Sequence, residues 1–76
     1  MKFKTGDIVE LKEPYVTGFP CAKISFPIDG DDDNNYYIID AIPCDYKGNE
    51  ARGFEVGVPM ETDNFIQVVG HCPLYE

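Results

Sequence analysis

Apolar and polar residues alternate along this chain in short runs, and glycine or proline breaks the pattern every eight to twelve residues. That rhythm predicts several short strands, and no segment of ten or more residues carries the helical period. DIVELK, residues 7–12, follows a Thr5-Gly6 turn and supplies Ile8, Val9 and Leu11 to a partly buried first strand. In AKISFPI, residues 22–28, Ala22, Ile24, Phe26 and Ile28 fall on one side, and Lys23, Ser25 and Pro27 on the other. Strict period two predicts a second strand with one wet face, and Pro27, which cannot donate to a ladder, at an edge, bulge or strand end. YYIIDAI, residues 36–42, is apolar on both faces apart from Asp40, which predicts a central strand. The fourth strand is expected at GFEVGV, residues 53–58, with Phe54, Val56 and Val58 inward and Pro59 ending it. ETDN, residues 61–64, is too short for an α-helix and suits one 3₁₀ turn. FIQVV, residues 65–69, is the fifth strand, and the tail GHCPLYE follows it.

Composition sets the scale. The 76 residues make one domain, residues 1–76, with the strand-forming core at about 5–70. A chain this short buries only about 60% of its unfolded surface, so an elaborate active site would compete with the core for residues. Five tyrosines and five phenylalanines argue for a folded domain over a disordered tail. No run reaches the ~18–20 apolar residues of a membrane span, and MKFKTGDIVE turns polar too soon for a signal peptide. These features lead us to expect a cytosolic protein with no membrane partner.

Charge changes the picture more. The formal net charge is −8. Direct nucleic-acid binding needs a basic face to neutralise phosphates, so this balance argues against it and favours a basic protein or a cation as partner. The excess is uneven. Residues 1–13 sum to zero, whereas Asp29, Asp31, Asp32, Asp33 and Asp40 carry five negative charges between 29 and 40. The stretch DGDDDNN, residues 29–35, reads as the hairpin loop between the second and third strands, because Asn and Asp tolerate left-handed backbone and bond their own amides.

Three readings of that loop follow. It can be a solvated hairpin whose charge only keeps the protein soluble. It can be a calcium site: Asp29, Asp31 and Asp33 take positions 1, 3 and 5 of a D-x-D-x-D run, and Asp40 falls at position 12. An EF-hand loop wants that spacing, with Gly at 6 and Glu at 12; here Asn34 and Asp40 stand there, and strands flank the loop in place of helices. Or it can be an acidic contact surface. Carboxylates spaced along a loop or strand can take the places of phosphates in a basic cleft. The candidates are Asp29, Asp31, Asp32, Asp33 and Asp40, with Glu61 and Asp63 of the 3₁₀ turn, and with Tyr36 and Tyr37 as aromatic anchors.

The remaining chemistry is thin. Cys21, Cys44 and Cys72 are odd in number and lack a C-x-x-C, which predicts free thiols. Adjacent His71 and Cys72 make a poor start to a zinc site, and the single histidine gives little support for cysteine catalysis. No phosphate-binding glycine loop or hydrolase motif is present. We therefore expect no enzymatic activity and no resident cofactor, calcium aside.

KTGDIVEL resembles the G-D-x-V first strand of many SH3-like barrels. GFEVGVPMETDNFIQVV resembles their fourth strand, 3₁₀ turn and fifth strand. The resemblance covers residues 5–70 and implies an all-β, five-stranded SH3-like barrel with one 3₁₀ turn before the last strand. It carries over no ligand, since the tryptophan of polyproline-binding SH3 grooves is missing. In size and charge the chain also resembles the small acidic inhibitors that phages and mobile elements direct at restriction or CRISPR systems. The expected function is thus an acidic protein-binding module, in its sharpest form a decoy for a nucleic-acid-binding site. The alternatives are a calcium module, or an accessory subunit that binds through a sheet edge or the 13–20 loop EPYVTGFP.

Overall fold

The computed structural model describes residues 3–25 and 38–72. Asp29, Asp31, Asp32, Asp33, Tyr36 and Tyr37 lie outside the described residues, as does the proposed calcium loop. Five strands form one antiparallel sheet: β1 (Asp7–Leu11), β2 (Cys21–Ile24), β3 (Ile38–Cys44), β4 (Val58–Glu61) and β5 (Phe65–His71). A single 3₁₀ turn, η1 (Thr62–Asn64), joins β4 to β5. The strand order is β4-β3-β2-β1-β5. Consecutive strands pair as neighbours from β1 to β4, and β5 crosses over to pair with β1. The all-β architecture, the interior place of β3 between β4 and β2, and the 3₁₀ turn at residues 62–64 are as the sequence pattern predicts.

One face of the sheet forms the main core. Phe3, Val9, Leu11, Ala22, Ile24, Ile39, Ala41, Met60 and Phe65 make one cluster, with Val58 packed against it. Each strand contributes, and Met60 and Phe65 come from strands at opposite ends of the sheet order. Phe3 and Phe65 meet edge-on with ring centroids 5.3 Å apart. Side chains as fully buried as Val9 and Ile24 each contribute roughly 1.5–3 kcal/mol of transfer free energy.

The second face differs from expectation. Period two puts Lys23 on a wet face, yet Lys23 is buried. The segment 45–51 folds back over that face. Its Ala51 N–H donates to the Pro43 carbonyl at 2.8 Å, and its Glu50 carboxylate takes the Lys23 ammonium at 3.1 Å. Under this cover Ile8, Cys21 and Cys44 form a second, smaller cluster.

The fourth strand is also corrected. Residues 53–57 form turns, and β4 starts only at Val58. Val56, expected inward, is 93% exposed. Pro59 lies within β4, opposite Asp40. The Asp40 carbonyl accepts from the Ser25 N–H on the β2 side. The Asp40–Pro59 pair is therefore a non-bonded one, and the proline nitrogen faces away from the sheet. An outer strand tolerates proline for this reason. The other outer strand, β5, carries two irregularities against β1: Val69 and Ile66 are extra residues between successive pairs, and both are exposed.

Candidate functional site

Two segments distant in sequence converge here: the start of the 12–20 loop, and β4 with the η1 turn that directly follows it. Asn64 locks them together. Its backbone carbonyl accepts from the Lys12 N–H at 2.8 Å. Its side-chain oxygen accepts from the Glu13 N–H at 3.0 Å, and its side-chain nitrogen donates to the Glu13 carbonyl at 2.9 Å. A short polar side chain thus satisfies both backbone groups of Glu13, a residue distant in sequence.

The result is an open hollow of about 460 Å³, lined by Glu13, Tyr15, Pro59, Met60, Glu61, Asp63 and Asn64. Tyr15 forms one wall. It is half-exposed and braced from behind by Phe54, with an edge-on ring contact at 5.8 Å. The turn that holds Phe54 is closed by a Gly57 N–H bond to the Phe54 carbonyl at 2.9 Å. It is also closed by the Glu55 carboxylate, which accepts from the Gly53 N–H at 3.1–3.2 Å. A bond from its own backbone N–H, and after it the bond from Gly53, holds the Glu55 carboxyl below its usual range. Glu13, Glu61 and Asp63 bring three carboxylates to the hollow, and all three residues are exposed.

Of the sequence candidates, the structure brings Asp40, Glu61 and Asp63 to one side of the molecule. Ile38 pairs with Glu61 and Asp40 with Pro59, so Asp40 and Glu61 share the outward face of the β3–β4 ladder as diagonal neighbours. Such neighbours sit about 7–8 Å apart. Asp40 is half-buried within β3. Glu13 and Tyr15 join this side without having been singled out. The signal for them was the apolar-acidic start of EPYVTGFP, and nothing local pairs that segment with η1.

A second polar network lies on the covered face. Tyr46 O–H donates to Glu10 at 2.6 Å, and the Gln67 side-chain amide donates to its other oxygen at 3.1 Å. These bonds, that from Tyr46 first, lower the Glu10 carboxyl and in turn raise the Tyr46 phenol. The network ties the 45–51 cover to β1 and β5. At the far end of β1, the Asp7 carboxylate accepts from the Lys4 N–H and meets His71 Nδ1, each at 2.9 Å.

Among the described residues, no group of three or more His, Cys, Asp or Glu is placed to hold a metal ion. Also among them, no helix is long and apolar enough to cross a membrane. The carboxylates of the hollow are thus an extended charged surface and not a chelating cluster. Compared with protein-family models, curated proteins and solved structures, the chain matches none.

Proposed function

We propose that the protein is a non-enzymatic, acidic protein-binding module that docks a basic partner on the face centred on the hollow beside β4 and η1. The observation that carries this reading is the convergence of Glu13, from the 12–20 loop, with Glu61 and Asp63, from the β4–η1 segment, around an open hollow walled by Tyr15. A rigid aromatic wall beside dispersed carboxylates suits a protein contact. The ring supplies buried area at low entropic cost, and the charges speed encounter and set orientation.

The partner class follows from charge. With a net charge of −8, the chain meets basic surfaces favourably, and the commonest basic surfaces are those that bind nucleic acid. Carboxylates on this face would take phosphate positions there, which makes the protein a competitor of nucleic acid. In its sharpest form it is an inhibitor of a host defence protein, encoded by a phage or mobile element and acting in the cytosol. In sequence the acidic stretch 29–35 precedes β3 by two tyrosines, and Ile38, the first residue of β3, pairs with Glu61 of the hollow.

We read the fold as an SH3-like barrel. The strand order, the crossover pairing of β5 with β1 and a core that draws on both outer strands support this. Strand addition at a sheet edge has less support. Pro59 on β4 and the two bulged positions on β5 are features that discourage another strand from pairing.

Zero-length carbodiimide cross-linking tests the site. A basic nucleic-acid-binding protein recovered on heparin from the host lysate would be coupled to this protein and the linked peptides mapped. Links from Glu13, Glu61 or Asp63 to partner lysines are expected. Links confined to Glu50 and Glu55, on other parts of the surface, would overturn the assignment.

A further inference from the structure

Cys21 and Cys44 are direct partners in the β2–β3 ladder, and both are completely buried. They share one face and one cluster with Ile8. The phase of the ladder sets their spacing. Ser25 N–H donates to the Asp40 carbonyl at 3.1 Å, which makes Ser25–Asp40 a hydrogen-bonded pair. Bonded and non-bonded pairs alternate, so Lys23–Ile42 and Cys21–Cys44 are in the bonded phase. Pro43, opposite Ala22, falls in the other phase, where its missing N–H leaves no gap toward β2. The Cα atoms of a bonded pair lie about 5.5 Å apart, inside the ~4.4–6.8 Å window that a disulfide requires. Opposed Cβ atoms of a bonded pair sit at the wide end of about 4.5–5.5 Å and must close by about 1–2 Å to reach the ~3.5–4.5 Å of a disulfide, which a local change in strand twist would supply.

We propose that Cys21 and Cys44 are an oxidative cross-link site that reacts with low-molecular-weight disulfides of the glutathione type and locks β2 to β3. One cysteine thiolate attacks the reagent's disulfide, releasing one glutathione thiol and leaving a mixed disulfide on the protein. The second cysteine thiolate then attacks the protein-side sulfur, which forms the Cys21–Cys44 bond and expels the second glutathione. The two protein thiols lose two electrons and two protons, and the reagent gains both as two thiols. The ring so closed runs from residue 21 to residue 44.

The cover over the pair sets the rate. Asp45 knits the 45–51 turn through its side chain, which accepts from Lys47 N–H at 2.8 Å and from Asn49 N–H at 2.9 Å. Gly48 seats this turn on the cluster: a Cβ placed there would lie 3.2 Å from Ile8 Cδ1. Burial pushes the Cys21 thiol up to about 11 and the Cys44 thiol up to about 12, so few thiolates form while the turn is closed. Exchange therefore waits on opening of residues 45–51. Cys72, half-buried beyond β5, is an internal reference that reacts without that opening.

The test uses the full chain, incubated with oxidised glutathione over a range of reduced-to-oxidised ratios. It is then quenched with N-ethylmaleimide in denaturant and read by intact mass and peptide mapping. The expected product loses ~2 Da, retains one alkylatable thiol and yields linked peptides holding Cys21 and Cys44. Its Tm should rise by roughly ten degrees, since the bond matches the native register and closes a loop of about two dozen residues. C72S should form the same link, and C44S should not. Asp45→Ala should speed the reaction several-fold, because it loosens the cover. Two results would overturn the proposal: Cys21 and Cys44 both alkylated at every ratio, or a linked form that melts below the reduced one.

Discussion

Gly57→Ala is the substitution with the most to reveal about how β4 and the hollow are built. Gly57 has φ of +84°, a left-handed conformation that an alanine adopts at a cost of about 1–2 kcal/mol. A Cβ at this position would also lie 2.5 Å from Ser25 Oγ, 3.6 Å from Ser25 Cβ and 3.7 Å from the Ala41 carbonyl oxygen. Relieving the first contact requires the serine to change rotamer or the turn to shift, which adds roughly 1–3 kcal/mol as overpacking does elsewhere. The sum is about 2–5 kcal/mol. For a domain this small, with a urea m-value near ~1 kcal/mol/M, the midpoint should fall by about 2 M or more. The two contributions separate in a double-mutant cycle. In a Ser25→Ala background only the conformational cost of about 1–2 kcal/mol should remain. Urea unfolding of the four proteins measures this. If Gly57→Ala were neutral or stabilising, residues 53–57 would be the extended strand that the sequence pattern suggests, and the turn would be wrong. If the cost were the same in both backgrounds, Ser25 would not face Gly57.

Three further substitutions follow from the same geometry. Val56→Lys should change stability by no more than about 0.5 kcal/mol, because the side chain is 93% exposed; a loss of several kcal/mol in thermal unfolding would place it in a core. Asn64→Ala removes both side-chain bonds to the Glu13 backbone and should cost about 1–2 kcal/mol by urea unfolding, whereas a neutral result would mean the 12–20 loop is held by something else. Asp45→Ala should lower Tm at neutral pH, and the deficit should vanish in acid. Backbone N–H donation, from Asn49 first, depresses the Asp45 carboxyl below 3.8. Its contribution is thus present above that value and lost as the pH falls through the lower folded-state pKa. Melting curves of both proteins from pH 7 to pH 2 would show convergence; a deficit that persists unchanged in acid would refute it.

Local pattern was enough for much of the fold. DIVEL, IIDAI and FIQVV combine β-branched residues with short length, and each became a strand close to its expected bounds. Strand four was misread because Phe54, Val56 and Val58 imitate a period of two, although Phe54 packs on Tyr15 and Val56 faces water. The stronger signal was Gly57, whose positive φ closes the turn. Lys23 was misread for a different reason. Alternation reports which residues share a face, but not whether a distant segment covers it, and the cover here comes from residues 45–51. The hollow was legible only in part. Glu61 and Asp63 stood out as charges on a tight turn, while Glu13 and Tyr15 reach them through Asn64, a contact between segments far apart in sequence.

The proposed competition between this face and nucleic acid for a basic site can be measured directly. The direct measurement is fluorescence anisotropy of a labelled duplex bound to the heparin-recovered partner, titrated with wild type, with the triple variant E13Q/E61Q/D63N, and with D31N/D32N/D33N. Wild type should displace the duplex, more weakly as salt rises. The E13Q/E61Q/D63N variant, with an unchanged Tm, should need at least about tenfold more protein. Displacement by that variant at wild-type concentrations, or no displacement by wild type at low salt, would rule out competition through this face.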